Sequence, residues 1–218
     1  MLKSYVKRSG RVTTSQKKAY DTLSGRYVVA FNEENIDFYK IFKNTNVTLE
    51  IGFGSGDATL QIAQENPDKN YLGIEVHTPG IGHLLIEIEK RKIDNIKIIE
   101  YDAAPVIEKM IPPSSLEAVH IFFPDPWPKK RHRKRRLVQR PFTETLAGCL
   151  KPQGYLYFVT DWEDYAVHAL EELTATASLK NKYDGFAAPQ VWRPKTKFEK
   201  KGLEKGHVIR ELVFIKEK

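Results

Sequence analysis

The sequence predicts an α/β fold in which helices cover both faces of a mostly parallel β-sheet. Three observations support this prediction. Strand-like and helix-like patterns of hydrophobic residues alternate along the chain, the first predicted strand runs into a glycine-rich turn, and the later predicted strands end close to a carboxylate. Such alternation is typical of parallel strands joined by crossover helices. The chain has 218 residues, 41% of them hydrophobic, which is enough for a core of ordinary size.

The predicted elements follow one another in this order. The stretch NVTLEIGFG (46–54) predicts a buried strand and its turn, and DATLQIAQEN predicts the next helix with Asp57 as its N-cap. NYLGIEV and NIKIIEYDA predict two further strands, separated by the helical pattern of GIGHLLIEIEKRKI. LEAVHIFF predicts the fourth strand, LVQRPFTETLAGCL a helix, and GYLYFVTD the fifth strand. EDYAVHALEEL predicts another helix, and the alternation in HVIRELVFIK predicts a last strand.

The composition argues against two classes of protein. Nowhere do eighteen apolar residues follow one another, and the basic N-terminal stretch has no apolar segment behind it, so neither a membrane span nor a signal peptide is expected. Cys149 is the only cysteine, so the chain has no internal disulfide, and we expect Cys149 to be a small core residue. These features predict a soluble, cytoplasmic protein.

The stretch FFPDPWPKKRHRKRR (122–136) concentrates the charge of the chain. The sequence has 35 Lys and Arg against 28 Asp and Glu, and seven of these bases lie between Lys129 and Arg136, so the rest of the chain is balanced at 28 against 28. A run of this kind is often a solvated face or a targeting signal. Because this run lies in mid-domain, between a predicted strand and a predicted helix, a polyanion-binding surface is the better interpretation.

Glycines or carboxylates follow five of the predicted strands. They are, in chain order, Gly52–Gly56, Glu75, Asp102, Asp125 and Asp161. A single acid at the start of a loop is usually a cap or turn residue, but five such positions in register are hard to ascribe to packing. Because ligands of open parallel sheets bind beyond the carboxyl ends of the strands, these residues are expected to outline one crevice.

The glycine turn favours one class of cofactor over another. Dinucleotide sites use G-x-G-x-x-G, in which the turn and the helix N-terminus receive a pyrophosphate. Here EIGFGSGD has the pattern E-x-G-x-G-x-G, and Asp57 stands where the third glycine of the dinucleotide pattern would be. This negative charge opposes a pyrophosphate. A zwitterionic ligand without phosphates, such as S-adenosylmethionine, fits the turn better.

Each part of S-adenosylmethionine then has candidate contacts. Glu50 favours the positive sulfonium and amino groups, and the small Gly54 and Gly56 let the methionyl part lie against the backbone. Glu75 is placed to accept hydrogen bonds from both ribose hydroxyls, and Asp102 with the backbone of the next residue could meet the amino edge of adenine. Acids that bind ribose also occur in NAD sites, so an oxidoreductase stays an alternative. The residues concerned are Glu50, Gly52, Gly54, Gly56, Glu75, Asp102 and Ala103.

Five stretches together resemble the bacterial tRNA (guanine-N7-)-methyltransferase family, also called TrmB. They are LEIGFGSGDATLQIAQENPD, YLGIEVHTPGIGHLL, FFPDPWPKKRHRKRRL, GYLYFVTDWEDYA and TKFEKKG with the GH that follows it. The resemblance runs in order from about residue 8 to residue 214, and PDPWPKKRH is its most specific part. It implies a class I S-adenosylmethionine-dependent methyltransferase (Rossmann-like) fold and methylation of the guanine at position 46 in the tRNA variable loop.

The resemblance also implies a role for each matching residue. Asp125 would be the catalytic residue, and it would line the site of the cofactor and the target base together with Glu50, Glu75 and Asp102. The residues expected to bind the substrate are Lys129, Asp161, Thr196, Lys197, Phe198 and Glu199. The residues expected to touch RNA are Arg131, His132, Arg133, Lys134, Arg135 and Arg136. The implied partner is tRNA, and the protein is expected to work as a monomer or homodimer without another protein.

The chemistry of guanine limits what Asp125 has to do. N7 carries a lone pair and no proton, so its attack on a methyl group needs no general base. A carboxylate can instead stabilise the positive charge of the product ring, or accept hydrogen bonds from N1–H and the amino group. Pro124 and Pro126 restrict the backbone around Asp125, and Trp127 is expected to form a wall of the base pocket. The six histidines show no metal-ligand spacing, and methyl transfer to N7 requires no metal.

The N-terminus adds a second basic segment. RSGRVTTSQKKAY has no apolar periodicity, so we expect residues 1–25 to form a basic arm that is mobile until RNA binds, or else a merely disordered end. Residues 26–218 are expected to form a single methyltransferase domain. Two other functions stay open: a nucleotide-cofactor oxidoreductase, and a non-catalytic RNA-binding protein on a methyltransferase scaffold, which would bind tRNA without a cofactor.

Overall fold

The computed structural model of the protein describes residue 5, residues 10–42 and residues 44–217. The described residues divide into two compact units, one within residues 10–112 and the other formed by residue 5 with residues 113–217. The elements of the first unit are α1 (Thr14–Tyr27), α2 (Phe38–Ile41), β1 (Val47–Ile51), α3 (Asp57–Glu65), β2 (Asn70–Glu75), α4 (Thr78–Arg91), β3 (Ile96–Glu100) and α5 (Ala103–Lys109).

Parallel pairing brings the carboxyl ends of three strands of the first unit to one edge. Strand β2 pairs in parallel with β1 on one side and β3 on the other. Ile51 lies opposite Ile74, and Glu75 lies opposite Glu100. Every residue of β1 and β2 is buried, as expected for strands that are covered on both faces. The segments that follow these strands therefore start at the same level of the sheet.

Helix α1 lies in the segment that was expected to be a mobile arm. Its first turn has a capping box, in which the Thr13 hydroxyl accepts the Gln16 N–H at 3.2 Å and the Gln16 side chain accepts the Thr13 N–H at 2.9 Å. The Gln16 amide also donates to the Pro79 carbonyl at 3.0 Å, and the Tyr20 hydroxyl donates to Glu100 at 2.6 Å. Polar contacts hold this helix, which explains why its sequence lacks apolar periodicity.

The proposed boundary between arm and domain stays a prediction. Residues 1–4 and 6–9 of the expected arm lie outside the described residues. Of the remainder, the structure places residues 14–25 in helix α1.

The second unit continues the alternation of strands and helices. Its elements are β4 (Leu116–Phe122), a 3₁₀ helix (Lys130–Arg135), α6 (Phe142–Cys149), β5 (Leu150–Thr160), α7 (Glu163–Thr174), β6 (Leu179–Asn181), α8 (Lys197–Glu204) and β7 (Arg210–Lys216). Strands β4 and β5 are parallel, with Phe122 opposite Val159, and β7 runs antiparallel to both β5 and β6. The core of this unit contains Val119, Phe158 and Phe214, all fully buried.

The seven strands form one mostly parallel sheet in the order β3-β2-β1-β4-β5-β7-β6, and this confirms the predicted fold class. All six predicted strands and all four predicted helices are present. Two details differ: Gly56, and not Asp57, is the N-cap of α3, and α6 begins only at Phe142, after Pro141. Within the described residues, no helix combines the length and the hydropathy that crossing a membrane requires.

Candidate active site

The glycine turn after β1 depends on a backbone conformation that favours glycine. Gly52, Gly54 and Gly56 have φ angles of 76°, 61° and 76°, in the left-handed region that other residues rarely adopt. A Cβ atom at Gly52 or Gly54 would meet no atom within 4 Å, whereas one at Gly56 would lie 2.8 Å from the Leu84 side chain. The first two glycines therefore expose bare backbone to open space. At Gly56 the lack of a side chain serves helix packing against Leu84, and the contact of its backbone with a ligand stays a prediction.

Glu75 holds the glycine turn with its carboxylate. One oxygen accepts the Gly54 N–H at 2.7 Å, and the other accepts the N–H groups of Val76 at 2.7 Å and His77 at 3.0 Å. A carboxylate has roughly four acceptor positions, so these three bonds leave capacity for about one further donor. The predicted ribose contact is compatible with this arrangement, but Glu75 has a structural task that the sequence pattern does not show.

Glu50 is a buried acid with an unusual proton affinity. The residue is 3% exposed, and its carboxylate accepts a hydrogen bond from the Thr59 hydroxyl at 2.7 Å. Burial raises the pKa of Glu50 to about 7; the Thr59 hydrogen bond lowers it and the charge of Glu75 adds to the rise. Burial therefore favours the neutral acid, and a cation beside Glu50 would favour the ionised form.

Asp102 and Ala103 lie where β3 passes into α5. The Asp102 side chain is the N-cap of α5 and accepts the Ala104 N–H at 3.4 Å, while Ala103 is buried. Next to them, the half-exposed ring of Tyr101 stacks on Phe31 with centroids 3.8 Å apart and planes 6° from parallel. This pair forms a flat aromatic wall beside Asp102. Sequence reasoning missed it because the two aromatic residues are far apart in the chain.

The loop of residues 123–127, here called the Asp125 loop, holds an acid between two unusual backbone conformations. Phe123 continues the β4 ladder by donating its N–H to the Val159 carbonyl at 2.8 Å. Phe123 and Trp127 have φ angles of 49° and 46°, and such conformations cost an aromatic residue on the order of 1–3 kcal/mol each. Between them, the Asp125 side chain is exposed. The loop therefore presents a carboxylate to solvent on a strained, proline-restricted backbone.

The basic run continues directly from the Asp125 loop. Lys129 is the exposed N-cap of the 3₁₀ helix Lys130–Arg135, here called the basic helix, and none of its six residues is buried. Arg135 lies over the Trp127 ring at 5.0 Å. Partial desolvation, followed by the charges of Arg131 and Arg135, lowers the pKa of His132. The helix therefore carries several exposed cations close together in the chain, as an RNA-docking surface requires.

The burial of Arg136, the last base of this run, contradicts the prediction that it contacts RNA. Its side chain is 1% exposed and forms an ion pair with Asp164. Its Nε donates to the Pro126 carbonyl at 3.0 Å, and its guanidinium lies 4.9 Å from the centre of the Tyr165 ring. An arginine enclosed in this way cannot present its charge to RNA, so we remove it from the RNA-contacting set.

Asp161 follows β5 at the edge where the Asp125 loop follows β4. Its Oδ2 lies 2.9 Å from His207 Nδ1, and a Cβ at Gly202 would come within 2.9 Å of the same oxygen. Asp161 and His207 line an open pocket of about 490 Å³ together with Trp162, Glu163 and Arg210. The predicted substrate residue therefore has a cavity beside it.

The segment Thr196–Glu199 separates into two structural and two exposed residues. Thr196 is the N-cap of α8 and accepts the Glu199 N–H at 3.1 Å. Glu199 is 5% exposed and pairs with Arg193 at 2.6 Å, so its carboxylate holds the helix. The Glu199 carboxylate is therefore turned inward, away from a substrate, while the contact of the half-buried Thr196 with substrate stays a prediction. Lys197 and Phe198 are exposed, Phe198 to 67%.

Arg193, which the sequence analysis did not single out, organises this region. It also pairs with buried Glu211 at 2.8 Å, and its Nε donates to the Tyr157 hydroxyl at 3.0 Å. The two carboxylates raise the pKa of Arg193 against the opposing effect of its burial. No local pattern distinguishes this arginine from the exposed bases near it, so only the fold identifies its role.

Comparison with known proteins gives this arrangement a context. The model of a family described as "Putative methyltransferase" matches residues 44–212. The chain is 49% identical to a tRNA (guanine-N(7)-)-methyltransferase of Paraburkholderia xenovorans, over 99% of this chain and 83% of that protein. It is 48% identical to the protein of the same name from Nitrosomonas eutropha, over 99% of this chain and 96% of that one.

Solved structures of low sequence identity share the fold. The 16S rRNA methyltransferase KamB has a TM-score of 0.58 at 13% identity, and the match covers 100% of both chains. A 16S rRNA (adenine(1408)-N(1))-methyltransferase of Catenulisporales acidiphilia, crystallised with cosubstrate SAM, has a TM-score of 0.55 at 12% identity, over 79% of this chain and 86% of that one. These likenesses establish a methyltransferase fold. Because the relatives are nearly half identical over almost the whole chain, the protein belongs to the tRNA (guanine-N(7)-)-methyltransferase family.

Proposed function

We propose that the chain is an S-adenosylmethionine-dependent tRNA (guanine-N7-)-methyltransferase, and that its target is the guanine at position 46 in the variable loop. Relatives of that name match 99% of the chain at 48–49% identity. One structural observation carries the proposal furthest: the exposed Asp125 carboxylate and the exposed cations of the basic helix lie within a few residues of each other. A nucleic acid offers both a base for the carboxylate and phosphates for the cations.

The residues after β1, β2 and β3 fit S-adenosylmethionine. Gly52 and Gly54 expose backbone that a ligand can approach closely, Glu50 is an acid that a nearby cation would ionise, and Glu75 keeps one acceptor position. S-adenosylmethionine has no phosphate, so these residues need not include a phosphate-binding group. The exposed Asp57 at the start of α3, whose charge opposes a phosphate, is consistent with this ligand. When bound, S-adenosylmethionine supplies a methyl group activated by a sulfonium.

We assign Asp125 the task of stabilising the target guanine. Alkylation at N7 makes the ring cationic, and a fixed carboxylate nearby stabilises that charge without having to remove a proton. Alternatively, the same carboxylate orients the base by accepting hydrogen bonds from its N1–H and amino group. Both tasks need an ionised, exposed acid in a fixed direction, and the strained backbone at Phe123 and Trp127 provides the fixed direction.

We assign the basic helix and Lys129 to the RNA backbone. Exposed lysines and arginines bind phosphates without reading sequence, so selection of the substrate is expected to depend on tRNA shape. Asp161, beside its pocket, and the exposed Lys197 and Phe198 are proposed contacts of the target nucleotide. The proposed enzyme acts in the cytoplasm, as a monomer or homodimer, without a metal or another protein.

The test is to incubate the purified protein with an unmodified tRNA transcript and methyl-labelled S-adenosylmethionine, digest the RNA, and identify the labelled nucleoside by mass spectrometry. We expect labelled 7-methylguanosine from the variable loop. Asp125→Ala, prepared in the same way, controls for a contaminating methyltransferase. A wild-type preparation that binds tRNA and yields no label would reject the proposal in favour of a non-catalytic RNA-binding protein.

A further inference from the structure

Arg136 differs from every other base of the run that it ends. The residues of the basic helix are all at least partly exposed, whereas Arg136 is buried. A buried guanidinium needs partners for its donors, because an uncompensated charge in the interior costs several kcal/mol. The partners of Arg136 come from two places: the backbone of the Asp125 loop and the first turn of α7.

The contacts of Arg136 join these two places directly. Nε donates to the carbonyl of Pro126, the residue that follows Asp125, at 3.0 Å. The remaining nitrogens bond the carboxylate of Asp164 and, at 3.4 Å, its backbone carbonyl. The guanidinium also lies on the ring of Tyr165, whose hydroxyl accepts the Val138 N–H at 3.1 Å. A planar fork suits such simultaneous bonding, and a single ammonium does not.

The Asp125 loop is a segment that needs an external hold. Its first and last residues, Phe123 and Trp127, both have the left-handed backbone conformation, which persists only where the surroundings enforce it. At one end, the Phe123 N–H is fixed by the Val159 carbonyl. Near the other end, the Pro126 carbonyl is fixed by Arg136. Between these two points lies Asp125, with its side chain exposed.

We propose that Arg136 and Asp164 form a positioning pair that sets the direction of Asp125, an inference that rests on the function proposed above. The pair also contacts the basic helix, which is the proposed RNA-docking surface. The second oxygen of Asp164 forms an ion pair with the exposed Arg133 at 2.8 Å, so one carboxylate joins a base of the basic helix to the arginine that holds the loop. A phosphate that pairs with Arg133 changes the charge that Arg136 experiences, which links RNA docking to the loop.

The test compares Arg136→Lys and Asp164→Asn with the wild-type chain in steady-state methylation of a tRNA transcript. Arg136→Lys keeps the charge but cannot bond the Pro126 carbonyl and Asp164 together. Asp164→Asn changes a half-exposed side chain and keeps an acceptor for Arg136, so the fold is expected to persist. Arg140→Gln is the matched control, since it removes an arginine–carboxylate contact to the same helix, at 3.2 Å to Glu172, that involves no residue of the Asp125 loop.

We expect kcat at saturating tRNA and S-adenosylmethionine to fall about tenfold or more in both variants, because small misplacement of a catalytic group is costly. The KM for S-adenosylmethionine is expected to stay within about twofold, and Arg140→Gln is expected to keep the wild-type kcat. A purely structural role predicts a lower melting temperature with unchanged kcat per folded enzyme.

The outcomes separate this inference from the function on which it depends. A wild-type kcat in Asp164→Asn overturns the inference, even if Arg136→Lys fails to fold, while the wild-type production of 7-methylguanosine still supports the proposed function. Absence of 7-methylguanosine with the wild-type chain rejects the proposed function and this inference together. A lower kcat in Asp164→Asn, with an unchanged KM for S-adenosylmethionine, supports the positioning role.

Discussion

Gly80 leaves room for the carbonyl oxygen of Gly54: a Cβ atom at position 80 would lie 2.0 Å from that oxygen. The obstacle is backbone, which cannot swing aside as a flexible side chain can. On the same residue, the Gly54 N–H is held by Glu75 at 2.7 Å. The turn after β1 is therefore clamped between the first turn of α4 and the carboxylate that ends β2.

Gly80→Ala is expected to weaken cofactor binding. Forcing a methyl group into this contact displaces the Gly54 backbone, and overpacking of this kind costs about 1–3 kcal/mol. Where this cost falls on cofactor binding, it lowers the affinity roughly 5- to 150-fold. Calorimetric titration with the product S-adenosylhomocysteine measures the effect. Gly148→Ala, another helix glycine but one with no atom within 4 Å of its new Cβ, is the matched control and should bind normally. Equal affinities for the two variants would contradict the clamp.

Glu50 is expected to make the stability of the cofactor-free protein depend on pH. Burial raises its folded-state pKa from 4.5 to about 7, so folding favours the neutral acid. This contribution is fully present below about pH 4.5 and is lost as the pH rises through about 7. The loss amounts to at most on the order of 3 kcal/mol. Calorimetric melting should show a steeper decline of Tm between these values for the wild type than for Glu50→Gln; parallel curves would contradict the assignment.

Asp125→Ala and Asp125→Asn are expected to lower activity without lowering stability. The side chain is exposed, and surface substitutions usually change the free energy of unfolding by less than about 0.5 kcal/mol. Loss of a fixed charge at the reacting base is expected to lower kcat/KM roughly 100-fold or more. Initial rates and melting temperatures test both statements. Asp125→Asn with near-normal rates would show that orientation of the base, and not charge, is the task of this side chain.

Replacing exposed bases of the basic helix is expected to weaken tRNA binding and its dependence on salt. Arg131→Gln with Lys134→Gln removes two exposed charges, and the slope of log affinity against log salt concentration should fall by about 2. Filter binding across a salt series measures this slope. Lys40→Gln with Lys180→Gln removes the same charge from exposed positions elsewhere and should leave the slope unchanged. Equal slopes for the two double variants would reject the basic helix as the docking surface.

The sequence was sufficient for the elements that a repeating pattern or a glycine turn specifies. Strands β1 to β5 and β7 have strong apolar patterns, and the positive φ angles of Gly52, Gly54 and Gly56 match the glycine spacing. Helix α1 was missed because only Ala19 and Tyr27 of it are buried, so no apolar stripe exists. Helix α5 is short and contains Pro105, and α8 depends on the Arg193–Glu199 pair, which no local pattern reveals.

The sequence identified the types of residue in the candidate site better than it identified the role of each residue. A run of seven bases has no internal feature that marks Arg136 as the buried one, because its partners Pro126 and Asp164 are defined by the fold. For the same reason, Glu199 was assigned to substrate although it is an interior ion-pair partner. The left-handed backbone of Phe123 and Trp127 was also beyond prediction, since aromatic residues seldom adopt it.

The central claim, methylation at N7 of one guanine, is tested most directly with two tRNA transcripts that differ only in the base at position 46. One has guanine there, and the other has 7-deazaguanine, in which a C–H group replaces N7 and every Watson–Crick group is kept. We expect the wild-type chain to transfer about one labelled methyl group to the first transcript and none to the second, with equal affinity for both. Equal labelling of the two transcripts would contradict the claim.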